Sequence, residues 1–340
     1  MSTGEQNGRE SRPARACFSP GMDSCPLAWL PIPPTPLTKP PPLATGIRRL
    51  RGLQARFPQQ PNQQIFMKAA PVKVSVTGAA GRVAHSLLYS IANGEVYGRQ
   101  QPIVLALLDS PSMAEALAGL AMELQDCAFE LLRGVTVTHR EEVGFGEADV
   151  ALLLDSLPAQ DGVQRADLLK ANALRFRAHG RALDAYAKKT VKVLVVGDFA
   201  NTNCLVSMIS APSIPPENFT CLAGLDQNQG VQQREAAAVR ARHLPRAASV
   251  AKAICDHLRV WWSGTKQGEW VSMGVISSRN GYGVPDGLVL SFPVAVQDGR
   301  WQIIPGLHLS PLLRHRMALT AQELLTERDM ALMFLARSRL

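Results

Sequence analysis

Residues 72–84 read "VKVSVTGAAGRVA", and the fold is decided there. Valines at every second position give the opening a β-rich apolar character, so the stretch through Gly78 is expected as a buried strand. Gly78 and Gly81 then leave room for the backbone to approach a ligand, and "GRVAHSLLYSIANG" continues with helical spacing. A strand that turns through glycines into a helix aims unpaired N–H groups and the positive helix end at one point, which suits a phosphate. The Gly-x-x-Gly-x-x-Ala spacing alone is weak, since many tight strand-to-helix turns share it.

Its context is stronger. The next apolar run, "PIVLALLD" (102–109), ends in Asp109, about where a carboxylate would accept hydrogen bonds from adenine ribose hydroxyls, a choice that favours NAD over NADP. Beyond it come the helical "SMAEALAGLAMELQDC", strands "VTVTH" (135–139) and "ADVALLLD" (148–155), an amphipathic stretch over about 163–189, and "VKVLVVG" (191–197). Continuous apolar strands separated by helices predict a parallel sheet covered on both faces, the doubly wound α/β arrangement of Rossmann type.

After residue 245 the pattern becomes mixed. A helix over "AASVAKAICDHLRVWW" precedes strands at "WVSMGVIS", "LVLSFPVAV" and "RWQIIPG", with the turn-rich "NGYGVPDG" suiting antiparallel pairing. Thr320 and Glu323 stand in capping-box spacing and are expected to open the last helix. The domains expected are 1–66, a proline-rich extension; 67–222, the NAD-binding domain; and 223–340, a smaller α+β substrate domain.

The 340 residues permit two domains and a core that needs no disulfide staples. Half of the 24 prolines lie in residues 1–66, a composition that suits an unstructured tail with polyproline character. That tail also carries eight Arg or Lys against three acids, so it supplies +5 of the net charge of +8, and the body offers no basic stripe to nucleic acid. Within it, "GIRRLRGLQARF" has the spacing of a targeting helix, but it lies behind prolines and some 45 residues into the chain, and is read as part of the tail. Cys17, Cys25, Cys127, Cys204, Cys221 and Cys255 show neither zinc spacing nor the density of a disulfide scaffold, which indicates a reducing compartment and no metal. The four in the body are expected as small buried hydrophobes. No 18-residue apolar run crosses a membrane.

The stretches "VTGAAGRVAHSLLYSIANG", "MELQDCAFELL", "RADLLKAN", "ALDAYAKK", "ANTNCL", "SAPSIPPENF", "AKAICDH", "VSMGVIS", "YGVPD" and "SFPV" resemble, in order over 67–340, the cytosolic, animal-type malate dehydrogenases of the lactate/malate dehydrogenase family. The resemblance implies a cytoplasmic, homodimeric, NAD-dependent oxidoreductase that interconverts malate and oxaloacetate by hydride transfer. It also implies roles by position. Gly78, Ala79, Ala80, Gly81, Arg82, Val83, Ala84, Asp109, Asn172, Val196 and Gly197 would contact the cofactor. Residues around 156–165 would close over substrate, Arg165 would pair with a substrate carboxylate, Asp198 would lie at the substrate, and Asp226 would orient a catalytic histidine.

The same resemblance exposes departures. In the family several tens of residues, the catalytic histidine among them, follow the aspartate; here Val231 comes five residues after Asp226. Ala159 and Gln229 stand where the family places arginines, and charged guanidinium hydrogen bonds contribute about 1.5–3 kcal/mol each. Asp198 and Phe199 replace Asn and Pro, which alters the turn that aims position 198, and Asp155 replaces a Gly, adding bulk and negative charge near a pyrophosphate. None of His85, His139, His179, His243, His257, His308 and His315 lies in the family's context for the base. Loss of a general base costs on the order of 10² to 10⁴ in rate, so the expected chain is a weak or inactive homologue. Two other readings stay open: a non-catalytic nucleotide-binding or dimer-forming protein, and a splice or gene-model variant of an active enzyme whose product contains the absent segment and starts at Met67.

Overall fold

The valine run at 72–76 becomes strand β1 (Val72–Thr77), and it pairs in parallel on both sides, with β2 (Ile103–Leu108) and β4 (Val150–Leu153). The register sets Val74 between Leu105 and Val150, and Val76 between Leu107 and Leu152. With β3 (Leu132–Thr138), β5 (Lys192–Val195) and β6 (Phe219–Cys221) the parallel order is β3-β2-β1-β4-β5-β6, so the strand order reverses between β1 and β4. In open α/β sheets ligands bind above such a reversal, at the carboxyl ends of the strands. This computed structural model describes residues 69–157, 162–222, 241 and 247–338. They all fall within one compact unit, Pro61–Leu340.

Alternation along the strands divides two apolar layers. On one face Val74 and Val76 meet Leu87, Leu88 and Ile91 of α1 (Arg82–Ala92) and Leu117 and Leu124 of α2 (Ala114–Asp126). On the other, Ala151 and Leu153 meet Phe176 and Leu183 of α4 (Arg165–Tyr186), and Val206 of α5 (Ala200–Ile209). A short helix, α3 (Glu141–Phe145), buries Phe145 against this second layer. Burial on both sides is why β4 and β5 read as unbroken apolar runs rather than alternating ones.

The sheet does not stop at residue 222. β6 pairs antiparallel with β7 (Val271–Ile276), and β7 with β8 (Val289–Gln297) and β8 with β9 (Arg300–Ile303) extend the order to nine strands. Helix α6 (Ala248–Ser263) covers this extension through Ile254, Leu258 and Trp261.

Two expectations need correcting. The last helix, α7 (Pro311–Arg337), opens at Pro311 rather than near Thr320, because Ser310 accepts the Leu313 N–H at 3.2 Å and proline fits the first helical position. Thr320 and Glu323 are interior. Cys204, Cys221 and Cys255 are buried, but Cys127 is exposed where α2 ends and the chain turns toward water. Cys17, Cys25 and the expected tail lie outside the described residues.

One buried polar pair ties α6 to the sheet: His257 Nε2 lies 3.0 Å from Thr220 Oγ1 of β6. Burial pushes the imidazole pKa down to about 4, so the ring is neutral in the folded chain at neutral pH. The unfolded chain then binds the extra proton between about pH 6.5 and 4, and stability falls as pH is lowered through that window. Urea unfolding should therefore show a loss on the order of 3 kcal/mol over that range that is absent from His257→Gln; an identical pH slope in both proteins would remove the assignment.

Candidate functional site

The turn after β1 is built for close approach. Gly78 has φ +62°, and a Cβ on it would lie 3.0 Å from both the Cα and the Cβ of Asp155. The N–H of Gly81 donates to the Gly78 carbonyl at 2.9 Å, and a Cβ on Gly81 would meet that same oxygen. Gly81 is the N-cap of α1 and brings no side chain to its first-turn N–H groups, and no acidic residue follows in that turn. The amino end of α1 thus directs its partial positive charge at this turn with no acidic side chain offsetting it, which suits an anion. A cleft of about 210 Å³ opens here, lined by Gly78, Gly81, Arg82, Val83, Ala84, Leu154 and Ala247. Ala79, next in the turn, is fully buried and donates its N–H to the Leu108 carbonyl at 3.1 Å.

Asp109 reaches this turn from the end of β2. Its Oδ2 accepts the Ala80 N–H at 3.0 Å and its Oδ1 accepts the Ser110 N–H at 2.8 Å. Two of roughly four acceptor positions on the carboxylate are used internally, which leaves others for ribose hydroxyls. The structure therefore brings the glycine turn and Asp109 together as the sequence implied.

Asp155 closes the floor of the turn from the end of β4. Oδ1 accepts from Thr77 Oγ1 at 2.6 Å and Oδ2 accepts from His179 Nε2 at 2.8 Å, while Arg175 Nη1 donates to the Asp155 carbonyl at 3.0 Å. The other ring nitrogen of His179, Nδ1, lies 2.7 Å from Glu141 Oε1. Phe145 and Phe176 meet the imidazole edge-on. Burial pushes the His179 pKa down, but hydrogen bonds and charge from Asp155 and Glu141 outweigh it and lift it to about 9. Burial likewise raises Asp155, and the His179, Thr77 and Arg175 contacts outweigh that and hold its carboxyl below the usual range. His179 is thus an imidazolium that donates from both nitrogens. No spacing signalled this: Glu141 and His179 are 38 residues apart, on different helices. Thr77, Glu141 and Arg175 were not among the residues singled out from the sequence.

Around Arg165 the arrangement is closed upon itself. Arg165, first residue of α4, donates from Nη2 to Glu327 Oε1 at 2.6 Å, and its guanidinium sits 4.3 Å from the centre of the Phe199 ring. Phe199 has φ +57°, a left-handed conformation that a proline ring cannot adopt, so the Pro-to-Phe departure does change this turn. Val196 is buried just before it, and Gly197 has φ +124° with the Ser156 hydroxyl standing where a Cβ would go. Asp198 follows, its carbonyl accepting from Asn203 Nδ2 at 3.0 Å. Asn172 is fully buried: its Oδ1 accepts the Leu157 N–H at 2.7 Å, and its Nδ2 donates to the carbonyls of Leu157 and Leu168. Its amide holds the start of the 156–165 loop. Asp226, Ala159, Gln229 and His243 lie outside the described residues. Among the described residues no cluster of His, Cys, Asp or Glu is arranged to hold a metal ion, and no helix is long and apolar enough to cross a membrane.

Comparison with known proteins agrees with this geometry. The family model described as lactate/malate dehydrogenase, NAD binding domain, matches residues 72–220, and that described as lactate/malate dehydrogenase, alpha/beta C-terminal domain, matches 175–335. The chain is 45% identical to the cytoplasmic malate dehydrogenase of Bos taurus and 46% identical to that of Gallus gallus, each over 329 aligned positions covering 78% of this chain and 98% of the relative. Among solved structures it is similar to malate dehydrogenase from Naegleria fowleri (34% identity, TM-score 0.73) and to Trichomonas vaginalis lactate dehydrogenase in complex with NADH and oxamate (31%, TM-score 0.73), each match covering 78% of this chain and 99% of the other. A glycine turn at the strand reversal, a carboxylate from β2 bound to that turn, and matches across both halves of the fold together establish that the chain belongs to the lactate/malate dehydrogenase family, with an NAD-binding Rossmann-type sheet.

Proposed function

We propose that the chain is a cytoplasmic malate dehydrogenase homologue that keeps its dinucleotide site but turns over malate and oxaloacetate weakly or not at all. The observation that carries this reading is the state of the histidine beside the cradle. Both nitrogens of His179 are bound by carboxylates, and the ring is protonated at neutral pH, so it has no lone pair with which to accept a hydroxyl proton. His257 is buried, with its Nε2 3.0 Å from the Thr220 hydroxyl, and does not line that cleft. Lengths support the same conclusion: 78% of 340 residues, about 265, match relatives over 329 aligned positions, so about 64 positions of the relatives have no counterpart here.

In this reading residues 67–222 form the nucleotide-binding domain and 223–340 the shortened substrate domain. Residues 78–84 would hold the pyrophosphate, Asp109 the adenine ribose, and Val196 and Gly197 the nicotinamide end, with Asn172 acting through the loop it holds. NAD, when bound, supplies the hydride acceptor. Arg165 would share its guanidinium between a substrate carboxylate and Glu327, Asp198 would add unfavourable negative charge, and Asp226 would lack the imidazole it orients. Family membership also leads us to propose a homodimer, with a second copy of the chain as partner.

Two outcomes are expected. In a coupled assay of NADH oxidation by oxaloacetate, turnover should lie about 10² to 10⁴ below that of a cytoplasmic relative measured in parallel; an equal rate would refute the loss. NADH should nonetheless raise the unfolding midpoint, and Gly78→Ala should abolish that shift, because the substitution strains a positive φ and drives a methyl into Asp155, at a cost of about 1–3 kcal/mol. A shift that survives in Gly78→Ala would place the nucleotide elsewhere.

A further inference from the structure

A carboxylate beneath a phosphate-binding turn works against the turn. Asp155 stands so near the turn that a Cβ on Gly78 would lie 3.0 Å from its Cα and Cβ, at the strand reversal where an anionic dinucleotide would lie, and its side chain is only 15% exposed. An unbalanced charge there is poorly screened and would raise the cost of placing a pyrophosphate above it. The structure balances it. Thr77 and His179 take one carboxylate oxygen each, at 2.6 and 2.8 Å, and Glu141 holds the far side of the ring at 2.7 Å. Arg175, 40% exposed, stands 3.4 Å from Oδ2. Two carboxylates, one imidazolium and one guanidinium sum to no net charge, with the imidazolium, 9% exposed, the most enclosed of the four.

We propose that His179 is a positioning residue for the dinucleotide site: held between Asp155 and Glu141, it turns the Asp155 carboxylate away from the glycine turn and cancels its charge, and nucleotide affinity depends on it. The inference rests on the cradle being the NAD site. The groups that face the ring are Asp155 from the end of β4, Glu141 from α3 and Arg175 one turn earlier on α4, with Phe145 and Phe176 supplying apolar walls. The imidazolium persists through neutral pH, since its pKa is raised to about 9, and the neutralisation is lost as pH rises through that value.

The test is a double-mutant cycle on the full chain, read by NADH fluorescence with the thermal midpoint followed alongside. His179→Gln keeps a donor but loses the charge, and it should weaken NADH about tenfold or more; Asp155→Asn/His179→Gln should recover the original affinity, because the anion that needed balancing is gone. Wild-type affinity should fall as pH is raised from 7.5 to 10, and the double variant should not follow it. A purely structural role for His179 predicts a lower midpoint without rescue of the dissociation constant by Asp155→Asn. If wild type binds NADH and His179→Gln binds it equally well, or if the wild-type affinity is flat across that pH range, the proposal fails while the site assignment stands. The pH series needs no variant to fold. Binding by Asp155→Asn but not by wild type would also overturn it, since the imidazolium would then not be offsetting the charge. Absence of NADH binding by wild type and every variant would overturn the site assignment and this proposal together.

Discussion

The dinucleotide half depends on one constraint, the parallel pairing of β1 with a neighbour on each side. Because β2 and β4 flank it in matched register, their carboxyl ends deliver Asp109 and Asp155 to opposite sides of the same glycine turn. The pairing is held by strands buried on both faces, where each valine or leucine removed from water contributes about 1.5–3 kcal/mol. A slip of one residue would exchange the two apolar layers and withdraw both carboxylates from the turn. Rigid backbone is thus what allows two acids to stand so close to an anion site with different tasks, one binding the turn's own N–H and the other held down by a cation.

Much of this was legible because period and punctuation agree in the parallel half. The apolar runs at 72, 102, 148 and 191 all became strands, Gly78 and Asp109 met, and the family resemblance carried the order of elements. What could not be read depended on contacts between distant residues or on local competition. Thr320 and Glu323 have the spacing of a cap, but Ser310 followed by Pro311 offers a better one ten residues earlier, and nothing between them breaks a helix. The left-handed Phe199 and the saturated amide of Asn172 are products of packing, the first under the Arg165 guanidinium and the second against the Leu157 backbone. Asp155 read as a burden on the cofactor site; that an imidazolium from α4 bonds its carboxylate is visible only in three dimensions.

The two charged assemblies of the site differ in character. Around Asp155 the partners are enclosed, and removing one leaves a buried charge with no match, which is far more costly than the pair is stabilising. Around Arg165 the guanidinium is 60% exposed and its bond to Glu327 is correspondingly weak and open to exchange. The cluster beneath the glycine turn is therefore fixed in place, whereas the Arg165 pair is a contact that water and salt can loosen.

The junction between parallel and antiparallel strands carries a mechanical consequence. Among the described residues β6 and β7 pair at Cys221 and Gly274, where the sheet passes from parallel to antiparallel. Yet one apolar layer runs beneath both, from Val74 and Leu194 to Met273 and Phe292. Pulling either part away from the other would expose that shared interior to water, so the two parts of the sheet are held together by burial as well as by backbone pairing.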